Sequence, residues 1–256
     1  KFDNEVWPFQ VHVEGNIASG KSSLLGSLEG NSDFSLQYEP VEEWVYENLQ
    51  EGTPNLLAAF YKDPKANAAP LQRLVLTTYH TLHDVPCTTP IKVWDRSLHS
   101  SEIFRNVLLE DGWLGSKDYE DLQFYYEALN SSCDSGADLV VYLRTNPALC
   151  FRRLVTRDRP EERGVTLQYL TKLHHAHENW IAQCPFRVIT LDGEAPKPVV
   201  KDRAIRIIYR EFSETRIRAF TRPYESTRHA PFAALSPAHA TTNLPDFPTT
   251  TTTTQS

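Results

Sequence analysis

The segment Glu14–Ser23, EGNIASGKSS, constrains the fold more than any other part of the chain. It follows an alternating, strand-like run and precedes a leucine-rich segment typical of a helix, and its glycines, lysine and serine have the P-loop spacing. Glycine accepts the backbone angles that turn successive N–H groups towards an anion. Lys21 would reach the β- and γ-phosphates, and Ser22 would ligate Mg²⁺. The residues expected around a nucleoside triphosphate are Gly15, Asn16, Ile17, Ala18, Ser19, Gly20, Lys21, Ser22 and Ser23.

Strand-like and helix-like segments alternate along the chain, which predicts an α/β fold with a five-stranded parallel sheet and helices on both faces. The predicted strands are short and apolar, as is typical of a buried parallel sheet. They are Phe9–Val13, Ser35–Tyr38, Ile91–Trp94, Leu139–Leu143 and Phe186–Leu191. The predicted helices are Leu71–Leu82, Asp118–Asn130, Pro147–Thr156, Leu167–Ile181 and Val199–Phe220.

Length and composition limit the number of domains and the class of partner. A chain of 256 residues holds one α/β domain or at most two, and we expect the P-loop domain over residues 1–221. From Arg222 onward prolines recur, charged residues become rarer and the chain ends in a threonine run, so residues 222–256 are expected to be a disordered tail. The net charge of -7 argues against a nucleic-acid partner.

Cysteine usage and hydropathy bear on the cellular compartment. The four cysteines form no CxxC pair or zinc spacing, which favours reduced thiols in an intracellular protein. No apolar run approaches the roughly 20 residues that span a bilayer, so no membrane contact is expected. The first residue is Lys1 and no signal-peptide pattern follows it. The sequence therefore leaves a cytosolic and a mitochondrial location open.

The P-loop alone does not distinguish a kinase from an ATPase or a GTPase, but three other segments carry side chains suited to phosphoryl transfer. Glu39 follows the second predicted strand, where a carboxylate could accept the proton of a hydroxyl that attacks a γ-phosphate. Asp95 and Arg96 follow the third strand and combine an acid for Mg²⁺ with a guanidinium for a phosphate. Five arginines between Arg152 and Arg163 indicate a lid over a triphosphate. Solvated surface charge is the alternative for each segment.

Taken in chain order, these motifs resemble the deoxyribonucleoside kinase family, and the resemblance extends from about Phe9 to Asp192. The stretches that carry it are GNIASGKSS, EPVEEW, NLLAAFYKDP, APLQ, DRS, YLRTNP, RDRPEE and YLTKLHHAHENWI. The resemblance implies a P-loop kinase fold with an arginine-rich lid. It also implies phosphorylation of the 5′-hydroxyl of deoxyribonucleosides, with ATP as phosphate donor and Mg²⁺ as cofactor.

The resemblance implies a role for each matching residue. Glu39 matches the general base that takes the proton of the nucleoside 5′-hydroxyl, and Arg96 matches the arginine beside it. Asp95, expected to hold Mg²⁺ with Ser22, stands where the family usually has glutamate. The residues matching those that contact the nucleoside are Trp44, Tyr61, Gln72, Val75, Tyr79, Arg96, Ser101 and Glu162. Those matching the cations at the phosphates are Lys21, Arg153, Arg157 and Arg159, and the adenine is expected near Asp192.

Base preference is inferred from the same pocket. The amide of Gln72 presents a donor and an acceptor, which can hold a pyrimidine by two hydrogen bonds. Tyr61 and Glu162 match the pair that holds the sugar 3′-hydroxyl. Family members that favour deoxycytidine and purines carry an arginine and an aspartate at the positions of Tyr79 and Ser101, and neither charge is present here. The resemblance therefore favours thymidine and deoxycytidine as substrates.

Partners and alternatives complete the expectations. The resemblance implies a homodimer that pairs through its long helices, and feedback inhibition by a deoxynucleoside triphosphate whose phosphates occupy the P-loop. A nucleoside monophosphate kinase also couples a P-loop to an arginine lid, but the acceptor side here offers few cations for a substrate phosphate. A non-catalytic nucleotide-binding regulatory protein is the other alternative, although no Asn-Lys-x-Asp motif of a guanine-specific switch is present.

Overall fold

The computed structural model describes residues 7–45, 55–83 and 85–221. The tail expected over residues 222–256 lies outside the described residues. Within them, the helices are α1 (Lys21–Leu28), α2 (Val41–Val45), α3 (Leu56–Lys62), α4 (Pro64–His83), α5 (Ser100–Glu110), α6 (Ser116–Ser132), α7 (Pro147–Arg157), α8 (Leu167–Gln183) and α9 (Lys197–Thr221). A short 3₁₀ helix spans Pro160–Gly164. No described helix combines the length and the apolar character needed to cross a membrane.

Five parallel strands form the centre of the fold, as the alternating pattern predicted. They are β1 (Phe9–Glu14), β2 (Phe34–Gln37), β3 (Ile91–Asp95), β4 (Leu139–Arg144) and β5 (Val188–Asp192). Their order in the sheet is β2-β3-β1-β4-β5. Val13 pairs with Asp95 on one side of β1, and Glu14 pairs with Tyr142 on the other. The carboxyl ends of these central strands therefore meet at one edge, where open α/β sheets bind their ligands.

The side chains of β1 alternate between two buried faces of the sheet. The apolar set, which packs against α1 and α9, is Phe9, Val11 and Val13. The polar set on the opposite face is Gln10, His12 and Glu14. Gln10 accepts a 2.7 Å hydrogen bond from the indole of Trp94 on β3. A buried polar row therefore runs along β1 and ends at the first residue of the P-loop motif.

Two features of the helices differ from the sequence prediction. Helix α4 begins at Pro64 and continues through Pro70 instead of starting at Leu71, where the prediction placed it because proline is disfavoured inside helices. Pro64 occupies the first helical position, where no N–H is needed. Helices α2, α3 and α5 were not predicted because short helices depend on tertiary packing. That packing is provided by a second apolar cluster, to which α2 contributes Trp44 and α3 contributes Phe60.

Candidate active site

A cavity of about 1460 Å³ opens at the carboxyl edge of the sheet. Its walls come from the P-loop, from α2, α3 and α4, from the lid segment at the end of α7, and from the start of α9. Single-ligand pockets commonly enclose roughly 300 to 1,000 Å³, so this cavity has room for two small ligands side by side. Apart from Gly15, Asn16 and Asp192, the residues predicted to contact the triphosphate and those predicted to contact the nucleoside line this one space.

The P-loop has the backbone geometry that its glycines predicted. Gly15 has φ 152°, and a Cβ there would lie 2.7 Å from the carbonyl oxygen of Leu143. Gly20 has φ 114° directly before α1, so both positions require glycine. Ala18 between them has a positive φ of 58°. The loop residues that line the cavity are Ile17, Ala18, Ser19, Gly20, Lys21, Ser22 and Ser23.

Lys21 lies buried under the P-loop. Its Nζ donates to the carbonyl oxygens of Gly15 at 3.2 Å and Asn16 at 3.0 Å. Burial lowers the pKa of Lys21 to about 8; the neighbouring Arg96 adds to the effect, and nearby carboxylates oppose it. A bound phosphate would favour the protonated ammonium, because an opposite charge within a few ångströms stabilises the charged form. The lysine ammonium is thus held against the backbone of the loop.

Asn16 ties the P-loop to α8. Its Nδ2 donates to the carbonyl oxygen of Leu170 at 2.8 Å, and its Oδ1 accepts from the backbone N–H of Ile17 at 2.8 Å. Both polar ends of this buried side chain are thus used inside the protein. Its side chain holds the loop in place, and a contact with a triphosphate at this position would come from the backbone.

Ser22 and Asp95 meet at the junction of α1 and β3. The Ser22 hydroxyl donates to Asp95 Oδ2 at 2.6 Å. Asp95 Oδ1 is buried and has no hydrogen-bond partner among the described residues. A hydroxyl and a carboxylate suit Mg²⁺, which usually takes one or two protein oxygens and completes its shell with phosphates and water. In the described ranges, no three His, Cys, Asp or Glu side chains are grouped for metal binding.

Glu39 and Arg96 form an ion pair over the same cavity. Arg96 Nε lies 3.0 Å from Glu39 Oε1, with only 3% of the arginine side chain exposed and 22% of the glutamate. The guanidinium also lies over the ring of Phe104, 4.9 Å from its centre. Burial opposes a charged guanidinium, but Glu39 and Glu14 outweigh it and raise the pKa of Arg96. The structure thus brings together the acid and the arginine that the sequence placed after different strands.

Gln72 presents an unsatisfied polar atom on the nucleoside side of the cavity. Gln72 on α4 is buried, and its Oε1 has no hydrogen-bond partner among the described residues. Trp44 on α2 donates its indole N–H to Thr78 Oγ1 at 3.0 Å, which fixes the ring against α4. A buried acceptor without a partner costs about 1 to 3 kcal/mol, so a ligand with a matching donor would recover that energy. Val75 lines the same wall.

Tyr79 and Ser101 are both anchored within the protein. The Tyr79 hydroxyl donates to the carbonyl oxygen of Asp95 at 2.9 Å. Burial raises the pKa of Tyr79 well above its usual value, so it stays a donor. Ser101 Oγ donates to Leu98 O at 2.8 Å and accepts from Arg105 Nη1 at 3.2 Å. The fully buried guanidinium of Arg105 therefore contacts Ser101 from inside the protein. The residue type at position 101 alone did not predict this neighbouring positive charge.

The lid arginines contact the P-loop backbone and one shared acidic residue. Arg153 bridges two loops, with Nη1 donating to Ser19 O at 2.7 Å and Nη2 donating to Gly193 O at 2.9 Å. Arg157 pairs with Glu162, and Arg159 Nη1 lies 3.6 Å from Glu162 Oε1. Glu162, expected at the sugar, is thus contacted by two of the three arginines that match the cations at the phosphates. This ion pair links the sugar side of the cavity to the phosphate side.

Tyr61 lines the cavity, whereas Asp192 does not. Burial raises the pKa of the Tyr61 hydroxyl well above its usual value, and neighbours including Glu162 add to this, so the hydroxyl remains a donor. Asp192 is exposed, and its Oδ1 accepts from the backbone N–H of Glu194 at 2.9 Å. Its neighbour Gly193 lines the cavity instead, and a Cβ there would overlap Thr145 Oγ1. Backbone therefore forms this end of the donor side.

Four residues that shape the site were not predicted from the sequence. They are Glu14, Thr78, Phe104 and Arg105. Only Glu14 had a sequence signal, since it continues the polar alternation of Gln10 and His12 on β1 up to the P-loop. The other three act through contacts between distant segments, which no local pattern contains.

Comparison with known families matches residues 11–215 to the family described as deoxynucleoside kinase. Mitochondrial thymidine kinase 2 from Homo sapiens is 36% identical over 172 residues, which cover 67% of this chain and 63% of that protein. Deoxycytidine kinase 2 from Gallus gallus is 30% identical over 201 residues, covering 70% of this chain and 76% of the relative. The putative kinase protein 029R of Invertebrate iridescent virus 3 is 29% identical over 204 residues, 79% of this chain and 97% of the relative. The chain thus spans less than two thirds of the length of the thymidine kinase.

Proposed function

The chain belongs to the deoxynucleoside kinase family, and on that premise we propose that it transfers the γ-phosphoryl group of ATP to the 5′-hydroxyl of a deoxyribonucleoside. One observation carries the proposal: the P-loop lysine and the Glu39–Arg96 ion pair face one cavity with the unsatisfied amide oxygen of Gln72. A donor site, a base for a hydroxyl and a polar group for a nucleobase thus share one space. We further propose that thymidine and deoxycytidine are the preferred substrates.

In this proposal, the chain's own residues position the reactants and stabilise charge. Glu39 accepts the proton of the 5′-hydroxyl as it attacks, and Arg96 holds the carboxylate in place at 3.0 Å. Phosphoryl transfer spreads negative charge over the moving group, so catalysis is largely electrostatic. The cations that would face this charge are Lys21, Arg153, Arg157 and Arg159. Mg²⁺, held by Ser22 and Asp95, would neutralise the β- and γ-phosphate oxygens.

Nucleoside recognition in this proposal depends on Gln72, Tyr61 and Glu162. The Gln72 amide would pair with a pyrimidine, because its buried Oε1 lacks a donor. Tyr61 and Glu162 would hold the 3′-hydroxyl, and a site built for a hydroxyl rejects analogues without it because its own groups stay unpaired. The Ser101 hydroxyl already donates its proton to Leu98 O. It therefore offers an acceptor to the base, a feature compatible with the amino group of deoxycytidine.

Initial-rate phosphorylation of thymidine, deoxycytidine, deoxyadenosine and deoxyguanosine with ATP and Mg²⁺ tests the proposal, with thymidine monophosphate assayed alongside. Pyrimidine nucleosides should give the highest kcat/KM. Preference for purines would keep the kinase and overturn the account of base selection. Turnover of the monophosphate alone would indicate a nucleoside monophosphate kinase, and ATP binding without any turnover would indicate a regulatory protein.

We also propose a homodimer, feedback inhibition and action inside the cell, in the cytosol or mitochondria. Phe124 on α6 is 75% exposed, which suits a helix face covered by a second copy. Light scattering should give a mass twice that of one chain, and the Phe124→Asp variant should have the mass of a single chain. A deoxynucleoside triphosphate should inhibit competitively with ATP, because its phosphates would occupy the same loop. Subcellular fractionation would identify the compartment.

A further inference from the structure

Glu14 is a buried carboxylate that the proposed chemistry does not use. It is the last residue of β1, directly before Gly15, and none of its surface is exposed. Its side chain lies on the polar face of β1, pointing away from the apolar core under α1 and α9. Carboxylates are almost never fully buried without partners, so its contacts indicate what it does there.

Among the described residues, the side chains that donate hydrogen bonds to Glu14 belong to the turn that carries Arg96. Ser97 Oγ donates to Glu14 Oε1 at 2.8 Å. Ser100 Oγ lies 2.6 Å from Oε1 and 2.7 Å from Oε2. The Ser100 hydroxyl oxygen also accepts from the backbone N–H of Ser97 at 3.1 Å. One carboxylate therefore fixes both ends of the short turn between β3 and α5.

The backbone within this turn needs such a support. Arg96 has φ 67°, in the left-handed region that residues with a Cβ disfavour. Its N–H donates to Val13 O at 3.0 Å, immediately before Glu14 in the chain. Strained backbone of this kind persists only where the surroundings determine it, and it is frequent at functional sites. In this conformation the Arg96 side chain reaches Glu39.

We propose that Glu14 is a positioning residue, which holds the turn from Asp95 to Ser100 and thereby places Arg96 against Glu39. The inference rests on the proposed function for its kinetic consequence and on the geometry alone for its structural one. Burial raises the pKa of Glu14, while Arg96 and the two serine hydroxyls favour its carboxylate form. The positive charge of Arg96 thus favours the same arrangement of the turn as the hydrogen bonds from the two serines.

Kinetic analysis of Glu14→Gln tests the proposal, with the best of the four deoxynucleosides as substrate. The glutamine amide has the size of the glutamate carboxylate, but only its oxygen accepts hydrogen bonds, whereas its nitrogen donates them. Misplacement of a catalytic group by about 1 Å can cost on the order of 10²-fold in rate, so we expect kcat to fall about 10- to 100-fold. The KM for nucleoside should change less than kcat, because Gln72 and Trp44 lie on α4 and α2, outside the turn. A lower melting temperature with unchanged kcat, or a rise in KM alone, would overturn the proposal.

Two further variants keep the test decisive. Glu211→Gln is the matched control: Glu211 is a buried carboxylate on α9 paired with Arg187 and Arg210, and it does not line the cavity. It should lower stability and leave kcat unchanged. If Glu14→Gln does not fold, Ser100→Ala removes one partner and keeps the carboxylate. It should lower kcat in the same direction, and a Ser100→Ala protein with unchanged kcat would count against the role.

A crystal structure of Glu14→Gln separates this inference from the proposed function. Arg96 should leave its left-handed conformation, and its Nε should move away from Glu39 Oε1. If the unsubstituted protein phosphorylates no nucleoside, the proposed function fails while this structural readout still decides the role of Glu14. An unchanged Arg96–Glu39 pair in the variant refutes the positioning role whatever the activity.

Discussion

Arg96 adopts a left-handed backbone conformation, φ 67°, and in it places Nε 3.0 Å from Glu39 Oε1. The two residues follow different strands, β3 and β2, and meet at the carboxyl edge of the sheet. Arg96 is almost fully buried, whereas Glu39 keeps 22% of its side chain exposed on the cavity side. Arg96 is thus the more deeply buried partner, and both side chains line the cavity.

Glu39→Gln should abolish most turnover while nucleoside binding persists. A positioned general base contributes roughly 10²- to 10⁴-fold in rate, and glutamine keeps the shape of the side chain without its proton affinity. Initial rates give the loss in kcat, and calorimetric titration with nucleoside gives the binding. Glu120→Gln, at an exposed position of α6, is the control. Near-normal turnover of Glu39→Gln would show that another group takes the proton.

Gln72→Ala should raise the KM for nucleoside far more than the KM for ATP. Two hydrogen bonds to the base contribute about 1 to 3 kcal/mol together, which corresponds to a change of about 5-fold to 150-fold in KM. Steady-state kinetics with each substrate varied in turn measure the split. Gln183→Ala at the exposed end of α8 serves as the control. An equal effect on both substrates would place Gln72 outside the base pocket.

Local signals in the sequence were enough to predict the sheet and the P-loop, and distant contacts explain what was missed. Short apolar runs predicted all five strands, and the glycine spacing predicted a loop that requires glycine at Gly15 and Gly20. The bond from Asn16 to Leu170 spans 154 positions, and that from Ser100 to Glu14 spans 86. No periodicity contains such pairings, so the supports of the site emerged only from the folded chain.

The lid, too, could be predicted only in part from the sequence. The density of arginines predicted a lid, but it did not predict which partners they take. Arg153 holds Ser19 and Gly193, whereas Arg157 and Arg159 share Glu162. Asp158, between them, has a positive φ of 49°, which turns the chain out of α7 into the 3₁₀ helix. Beyond that turn, Arg159 lines the cavity and Arg163 does not, a difference that a count of charges cannot predict.

Arg157→Ala should lower kcat on the order of 10³-fold, the effect typical of an arginine that neutralises a transferring phosphoryl group. Arg157→Lys should recover only part of the loss, because an ammonium cannot reproduce the planar fork of a guanidinium. Arg163→Ala is the matched control in the same lid, since Arg163 pairs with the exposed Asp158. Single-turnover kinetics at saturating substrates measure the chemical step. Equal losses for Arg157→Ala and Arg163→Ala would indicate a general charge effect.

Asp95→Asn should raise the Mg²⁺ concentration needed for half-maximal rate. The amide removes the negative charge next to Ser22 while preserving the hydrogen bond that Ser22 Oγ donates at 2.6 Å. Rates measured across a Mg²⁺ titration at fixed ATP give the shift, with Asp118→Asn on exposed α6 surface as control. A Mg²⁺ dependence identical to that of the unsubstituted protein would remove Asp95 from the metal site.

His177 should make the fold sensitive to acid. The ring is fully buried, its Nδ1 lies 2.6 Å from Leu173 O, and it stacks on Tyr142. Burial, reinforced by Arg96, lowers the pKa of His177 to about 3 from the ordinary 6.5. Because the folded state keeps the ring neutral, its contribution to stability is complete above pH 6.5 and is lost progressively as the pH falls towards 3.

Replacing the ring should reduce that acid sensitivity. One proton taken up on unfolding changes the free energy of unfolding by about 1.4 kcal/mol per pH unit, so His177→Leu should remove a slope of about this size between pH 6 and 4. Urea unfolding at several pH values measures it, and the leucine protein will be less stable at pH 7 because the Tyr142 contact is altered. His175→Leu, an exposed position on the same helix, is the control. If both variants and the unsubstituted protein lose stability with the same slope, the acid sensitivity originates from another residue. The buried ring of His12 is then the next candidate, because burial also lowers its pKa.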